Sequence, residues 1–195
     1  MTAPKRDDAM TDGDLGNFEA IYRQNFAFAW RSLRRLGVPE RDLGDAAQEV
    51  FLVVHRKLQQ LDLERSIAGF VYAVCLRVAS NRRRSAVQRH EQLDRESEPP
   101  ERPEQALAAD AEAQRLNERR ALLAEALDAM SLEQRATFTL FELEGRTGEE
   151  VADILGVPAA TVHSRLRLAR EIFRRIVERH RAREHFELRR VGGER

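Results

Sequence analysis

GVPAATVHSRLRLAR, residues 156–170, decides how this chain is read. Gly156-Val157-Pro158 punctuates the chain, because glycine permits a left-handed turn and proline fixes the start of the next helix. Behind it Val162, Leu166, Ala169 and Phe173 recur at three- and four-residue spacing, the buried stripe of a helix. Ahead of it lies a shorter helix, capped by Thr147 with Glu150 and carrying Val151, Ile154 and Leu155. Ala152 is small enough to let the two helices pack closely. A short helix, a tight turn and a longer helix sharing one apolar seam make a helix-turn-helix, whose second helix suits the major groove of DNA. Thr161, His163, Ser164, Arg165, Arg167 and Arg170 fall away from the stripe. Arginine there can hold guanine edges or phosphates, and hydroxyls can hold phosphates. Ala159 and Ala160 leave the backbone of the first turn open to close approach.

The rest of the composition agrees with a helical protein. The chain has 195 residues, room for one ordinary domain or two small ones, and with 34% charged and only 6% aromatic residues its composition predicts an all-α fold rather than a β-sandwich. Thirty-three basic and 33 acidic residues cancel, so only the distribution of charge can point to a partner. A single cysteine, Cys75, excludes an intramolecular disulfide and any multi-cysteine zinc site, and it suits a reducing, cytoplasmic setting. The opening MTAPKRDDAMTDGDLG is polar and acidic, so no signal peptide is expected, and no apolar run reaches membrane-spanning length.

Working outward, residues 1–15 read as a disordered start and residues 16–90 as a first helical domain. Phe18, Ile21, Tyr22, Phe26, Ala29, Leu33 and Leu36 form the apolar stripe of its first helix, which stops at Gly37 before Pro39. A second helix, capped by Asp42 or Asp45, buries Ala46, Val50, Phe51, Val54 and Leu58. After a break near Leu61, a third carries Ile67, Phe70, Val71, Val74, Cys75 and Val78 into a basic run. Residues 91–112 hold Glu91, Asp94, Glu96, Glu98 and Glu101 among three prolines, the composition of a flexible linker. Residues 113–180 then form a second domain. Its first helix runs through Leu116, Leu122, Leu123, Ala126, Leu127 and Met130; Ser131 with Gln134 caps the next, followed by Phe138, Leu140 and Phe141. Residues 181–195 are a basic tail.

Two features of the first domain call for partners. DAAQEVF, residues 45–51, sets acidic and amide groups on the outer side of an amphipathic helix, a face suited to a basic protein surface. RVASNRRRSAVQR, residues 77–89, contains five arginines and no acid, a pattern that neutralises phosphates.

In order, DAAQEVF, GFVYAVCLRVASNRRR, a linker and LEQRATFTLFELEGRTGEEVADILGVPAATVHSRLRLAR resemble the bacterial RNA polymerase sigma factors of the extracytoplasmic-function (ECF) type, within the sigma-70 family. The likeness covers about residues 18–175 and both halves. It implies that the first domain, region 2, docks on the clamp coiled coil of the polymerase largest subunit through Asp45, Gln48 and Glu49. It implies that a loop containing Asp62, Leu63, Glu64, Arg65 and Ser66, with the following helix at Arg77, Asn81, Arg82, Arg83 and Arg84, reads and melts the minus-10 element. Stacking and basic side chains suit capture of a single strand. The second domain, region 4, would seat residues 161–170 in the major groove of the minus-35 element and rest its core on the polymerase flap. The family implies core RNA polymerase, promoter DNA and an anti-sigma factor as partners, and no catalysis, cofactor or metal. The chain departs from the family at Phe70-Val71, where Trp-Leu is usual, at Ala160, where glycine is usual, and in a thinner acidic run before Gln48.

Two other readings compete. A helix-turn-helix repressor with a dimerising first domain explains residues 147–175 but leaves DAAQEVF and the basic run without a use. A helical interaction protein, its arginines serving solubility, would ignore salt on promoter DNA. The five histidines show no metal-ligand spacing. Cys75 reads as a buried structural thiol, Trp30 as packing, and His163 as a DNA contact or a solvent-exposed bystander.

Overall fold

A computed structural model describes residues 12–58, 66–92 and 111–192, and the side chains of residues 17–58, 66–85 and 114–183. Among these the chain is helical throughout: α1 Asp12–Arg35, α2 Leu43–Lys57, α3 Ile67–Gln92, α4 Ala111–Asp128, α5 Leu132–Phe138, α6 Gly148–Leu155 and α7 Ala159–Gly192. The all-α expectation holds. None of the described helices is long and apolar enough to cross a membrane. Two compact units emerge, one within Met1–Arg34 and Val38–Ala79, the other within Arg35–Gly37 and Ser80–Arg195, so that the division falls inside α3.

In the first unit, α2 supplies Leu43, Ala46, Ala47, Val50, Phe51 and Val54 at i, i+3, i+4, i+7, i+8 and i+11, one continuous buried face. Ala29 and Leu33 of α1 and Val71, Val74, Cys75 and Val78 of α3 are buried too, as their spacing required, with Cys75 Sγ 3.9 Å from the Ala29 carbonyl. Tyr72 is also fully enclosed, beside the ring of Phe28, a burial the sequence reading missed because α3 is apolar on more than one side. Each fully buried side chain of this size contributes about 1.5–3 kcal/mol. The expected stripe of α1 is less buried at its start: Phe18 and Phe26 are half-buried and Tyr22 is exposed. A short 3₁₀ turn, Glu40–Asp42, leads into α2. Asp42, not Asp45, takes the cap position, and its side chain makes no capping bond, since the turn already directs backbone N–H groups to local carbonyls.

In the second unit both foreseen capping boxes are present. The Ser131 hydroxyl accepts from the Gln134 N–H, and the Ser131 N–H donates to Gln134 Oε1 at 2.9 Å. Thr147 and Glu150 repeat the exchange, with the Thr147 N–H donating to Glu150 Oε2 at 2.8 Å. Leu127, Met130 and Phe138 meet Leu166 and Ala169 of α7 in one cluster, and Arg179 of α7 pairs with Glu125 of α4. Leu116, expected in the stripe of α4, is exposed. Between α5 and α6 the chain makes a π turn, Thr139–Leu143, closed by the Glu144 N–H on the Thr139 carbonyl. The backbone of α7 stays helical through Gly192, across most of the stretch read as a tail. The linker lies largely outside the described residues.

Candidate nucleic-acid interface

The turn between α6 and α7 is fixed by backbone geometry. Gly156 sits at φ +63°, where a side chain would be strained, and the Val157 N–H donates back to the Ala152 carbonyl at 3.1 Å, closing the end of α6. Pro158 then accepts from the N–H groups of Thr161 and Val162 and launches α7. Val151, Val162, Leu166 and Ala169 are buried along the shared seam. The helix-turn-helix is therefore held by a left-handed glycine, a capping box and one apolar seam.

A neighbouring face of α7, about 100° around the helix from that seam, carries the charge. His163, Arg167, Arg170 and Arg174 recur at i, i+4, i+7 and i+11, share one face and are all exposed. Arg174 was not singled out from the sequence, although its spacing from Arg167 and Arg170 gave the signal. Ser164 is exposed beside this face, with its hydroxyl donating to the Thr161 carbonyl at 2.9 Å. Thr161 and Arg165 lie around the flank and are half-buried. Glu133, toward which the charge of Arg165 acts, is held below the usual glutamate range, chiefly by a backbone hydrogen bond and by the Ser131 hydroxyl. The His163 ring stands against the start of α6, where a methyl group on Gly148 would come within 3.6 Å of it. Arg170 forms an ion pair with Glu142 of the π turn at 2.6 Å.

On α2, Asp45 and Gln48 are exposed and Glu49 half-buried, on the side away from the core. Gln48 borders an open groove of about 460 Å³ between α1 and α2, lined by Phe18, Tyr22, Phe26, Phe51 and Leu52 among others. Tyr22 and Phe51 meet edge to face at 4.7 Å. This aromatic groove beside the acidic face was not anticipated, because its rings come from two helices.

Of the residues expected to meet the minus-10 element, Asp62, Leu63, Glu64 and Arg65 lie outside the described residues. Ser66 caps α3, its hydroxyl accepting from the Gly69 N–H at 3.2 Å. Arg77, Asn81 and Arg84 share one exposed face, with Arg84 donating to Asn81 Oδ1 at 2.6 Å. Arg83 is exposed on another side, and Arg82 is half-buried. No described cluster of His, Cys, Asp or Glu is placed to hold a metal ion. Burial pushes the Cys75 thiol up to about 12, so it stays protonated at neutral pH.

Residues 120–172, which contain α5, the π turn, α6 and the exposed face of α7 as far as Arg170, match the family model of sigma-70 region 4. Over longer spans the chain is 28% identical to the ECF RNA polymerase sigma factor SigE of Mycolicibacterium smegmatis, covering 85% of this chain and 63% of that protein. It is 26% identical to the RNA polymerase sigma factor NccH of Alcaligenes xylosoxydans xylosoxydans, covering 87% of this chain and 94% of the relative. It is 28% identical to the ECF RNA polymerase sigma-E factor of Escherichia coli, covering 69% and 73%. In fold it is similar to the sigma factor RpoE of Bartonella quintana, solved with the anti-sigma factor NepR: TM-score 0.63, 18% identity, 83% of this chain and 97% of that one. It is also similar to CnrH, solved with the cytosolic domain of CnrY: TM-score 0.59, 20% identity, 83% and 87%.

Proposed function

Because the chain belongs to the sigma-70 family, in its ECF group, we propose that it is a promoter-specific initiation factor for RNA polymerase, with no catalysis of its own. The observation that carries this reading is the exposed basic face of α7, held by a helix-turn-helix inside the stretch that matches region 4. His163, Ser164, Arg167 and Arg170 meet the minus-35 element in the major groove, with Arg167 at the centre of the exposed face. Thr161 and Arg165 flank that contact.

Residues 16–90 act as region 2. Asp45, Gln48 and Glu49 meet the clamp coiled coil of the polymerase largest subunit, and the aromatic groove beside Gln48 offers apolar area to the same contact. An acidic face beside an apolar groove suits a basic partner helix. Residues 62–66 and the face of Arg77, Asn81 and Arg84, with Arg82 and Arg83, hold the separated minus-10 strand. From Arg77 to Arg84 the helix rises about 10 Å, enough to follow successive phosphates. Residues 91–112 link this domain to residues 113–180, whose core rests on the flap, and residues 181–195 extend beyond them. The factor works in the cytoplasm and is held inactive by an anti-sigma factor, the kind of partner bound by the sigma factor RpoE in its solved complex with NepR.

The test is capture of purified core polymerase by the full chain, followed by run-off transcription on a genomic fragment library. Polymerase binding with discrete promoter-dependent transcripts is expected. Binding to DNA without binding to polymerase would replace this reading with that of a dimeric repressor.

A further inference from the structure

Arg170 is unlike its neighbours on the exposed face of α7, because its guanidinium is already held. Its Nε donates to Glu142 Oε1 at 2.6 Å, and its Cζ stands 5.3 Å from the centroid of the Phe141 ring. Both partners come from consecutive positions in the π turn, where the extra residue in the turn brings Phe141 and Glu142 toward α7 together. Phe141 is anchored in turn, packed against the cluster of Leu127, Met130, Phe138 and Leu166. One edge of the guanidinium is thus fixed by a carboxylate and one face by a ring. Among the described residues, the terminal Nη nitrogens have no protein acceptor, and the side chain stays 55% exposed.

We propose that Glu142 is a positioning residue for DNA binding: it and Phe141 hold Arg170 as a preset fork whose free Nη atoms clamp one phosphate of the duplex backbone. This rests on the reading of α7 as a DNA-binding helix. An unrestrained arginine loses rotamer freedom when it binds, and a held one has already lost it. Two parallel N–H groups match two phosphate oxygens, a fit that lysine lacks. A phosphate contact carries no sequence information but sets register, so Arg170 orients α7 while Arg167 reads beside it.

The test uses the full chain and a short labelled duplex of mixed sequence, with affinity measured over a series of salt concentrations. R170A should lower the slope of log affinity against log salt by about 0.9, the mark of one lost phosphate contact. E142Q and E142A remove the same charge, but only glutamine keeps an acceptor for Nε. E142A should therefore bind roughly three- to tenfold more weakly than E142Q, and the gap should vanish when both are made on R170A. Melting curves establish that the variants are folded. If E142A melts early, R170K decides: lysine restores the slope, with affinity still below wild type if the held fork matters and equal to it if it does not. Equal affinity of E142A and E142Q, or an unchanged slope in R170A beside a reduced one in R167A, overturns the proposal and leaves the DNA reading intact. Wild-type binding indifferent to salt overturns that reading and the proposal with it.

Discussion

Arginine is dense on both α3 and α7, but the spacing differs. On α7, Arg167, Arg170 and Arg174 stand three and four positions apart on one exposed face, about 100° around the helix from the buried Val162, Leu166 and Ala169. On α3, Arg82, Arg83 and Arg84 are consecutive and fan around the axis at about 100° per residue. The first arrangement puts several guanidinium groups against one groove, where each meets a defined base or phosphate. The second surrounds a helix with positive charge and suits a strand whose path is less fixed. The same residue type serves orientation in one place and neutralisation in the other, and spacing makes the difference.

The largest expected effect removes the support of one pattern. Leu166→Ala should cost about 2–5 kcal/mol in urea unfolding and abolish duplex binding by α7, because that residue joins α7 to the cluster of Leu127, Met130 and Phe138. Polymerase capture through α2 should survive it; loss of both would mean that the two arginine helices depend on one stability.

Next, the two patterns should respond differently to losing one guanidinium. Arg167→Ala should weaken a cognate minus-35 duplex by about 1–3 kcal/mol more than a scrambled one. Arg83→Ala should instead weaken binding of single strands of any sequence to a similar degree, with a salt slope shallower by about 0.7. Base-dependent losses from Arg83→Ala would erase the distinction between the helices.

Gly156→Ala probes what aims α7. Nothing lies near enough to clash with an added methyl group, so the penalty is conformational, about 1–2 kcal/mol from the left-handed backbone. The thermal midpoint should fall with no change in the spectrum of the folded state.

The smallest effect concerns acid. Backbone and hydroxyl bonds from Thr147, then the Arg146 guanidinium, hold Glu150 below the usual glutamate range. A carboxylate depressed on folding contributes stability that is complete above its unfolded value, near 4.5, and is lost as the pH falls through the lower folded value. Glu150→Gln should therefore flatten the acid limb of the stability curve of this unit below about pH 4.5, leaving the neutral region nearly unchanged.

What could be seen in the sequence was what neighbours in sequence decide. The two capping boxes, the Gly156 turn and the seam of Val162, Leu166 and Ala169 each lie within a few residues, and each is present where expected. The π turn could not be seen, because its long-period bonds depend on how the next segment packs. Nor could the tie between Glu142 and Arg170, which are 28 residues apart. The enclosure of Tyr72 was hidden by an apolar surround that wraps α3 beyond a single stripe. The minus-10 loop at Asp62, Leu63, Glu64 and Arg65 was named from family likeness alone and lies outside the described residues.

The helix α7 runs unbroken for 34 residues, and this ties chain length to aim. One residue inserted after Arg167 would turn everything beyond it by about 100° and carry Arg170 off the face it shares with His163. The same insertion would rotate Ala169 and Ile176 out of the seam. An insertion of seven residues, nearly two whole turns, would return both faces to within about 20° of their present bearing. Drift in the length of this helix is therefore tolerated in steps of whole turns, not of single residues.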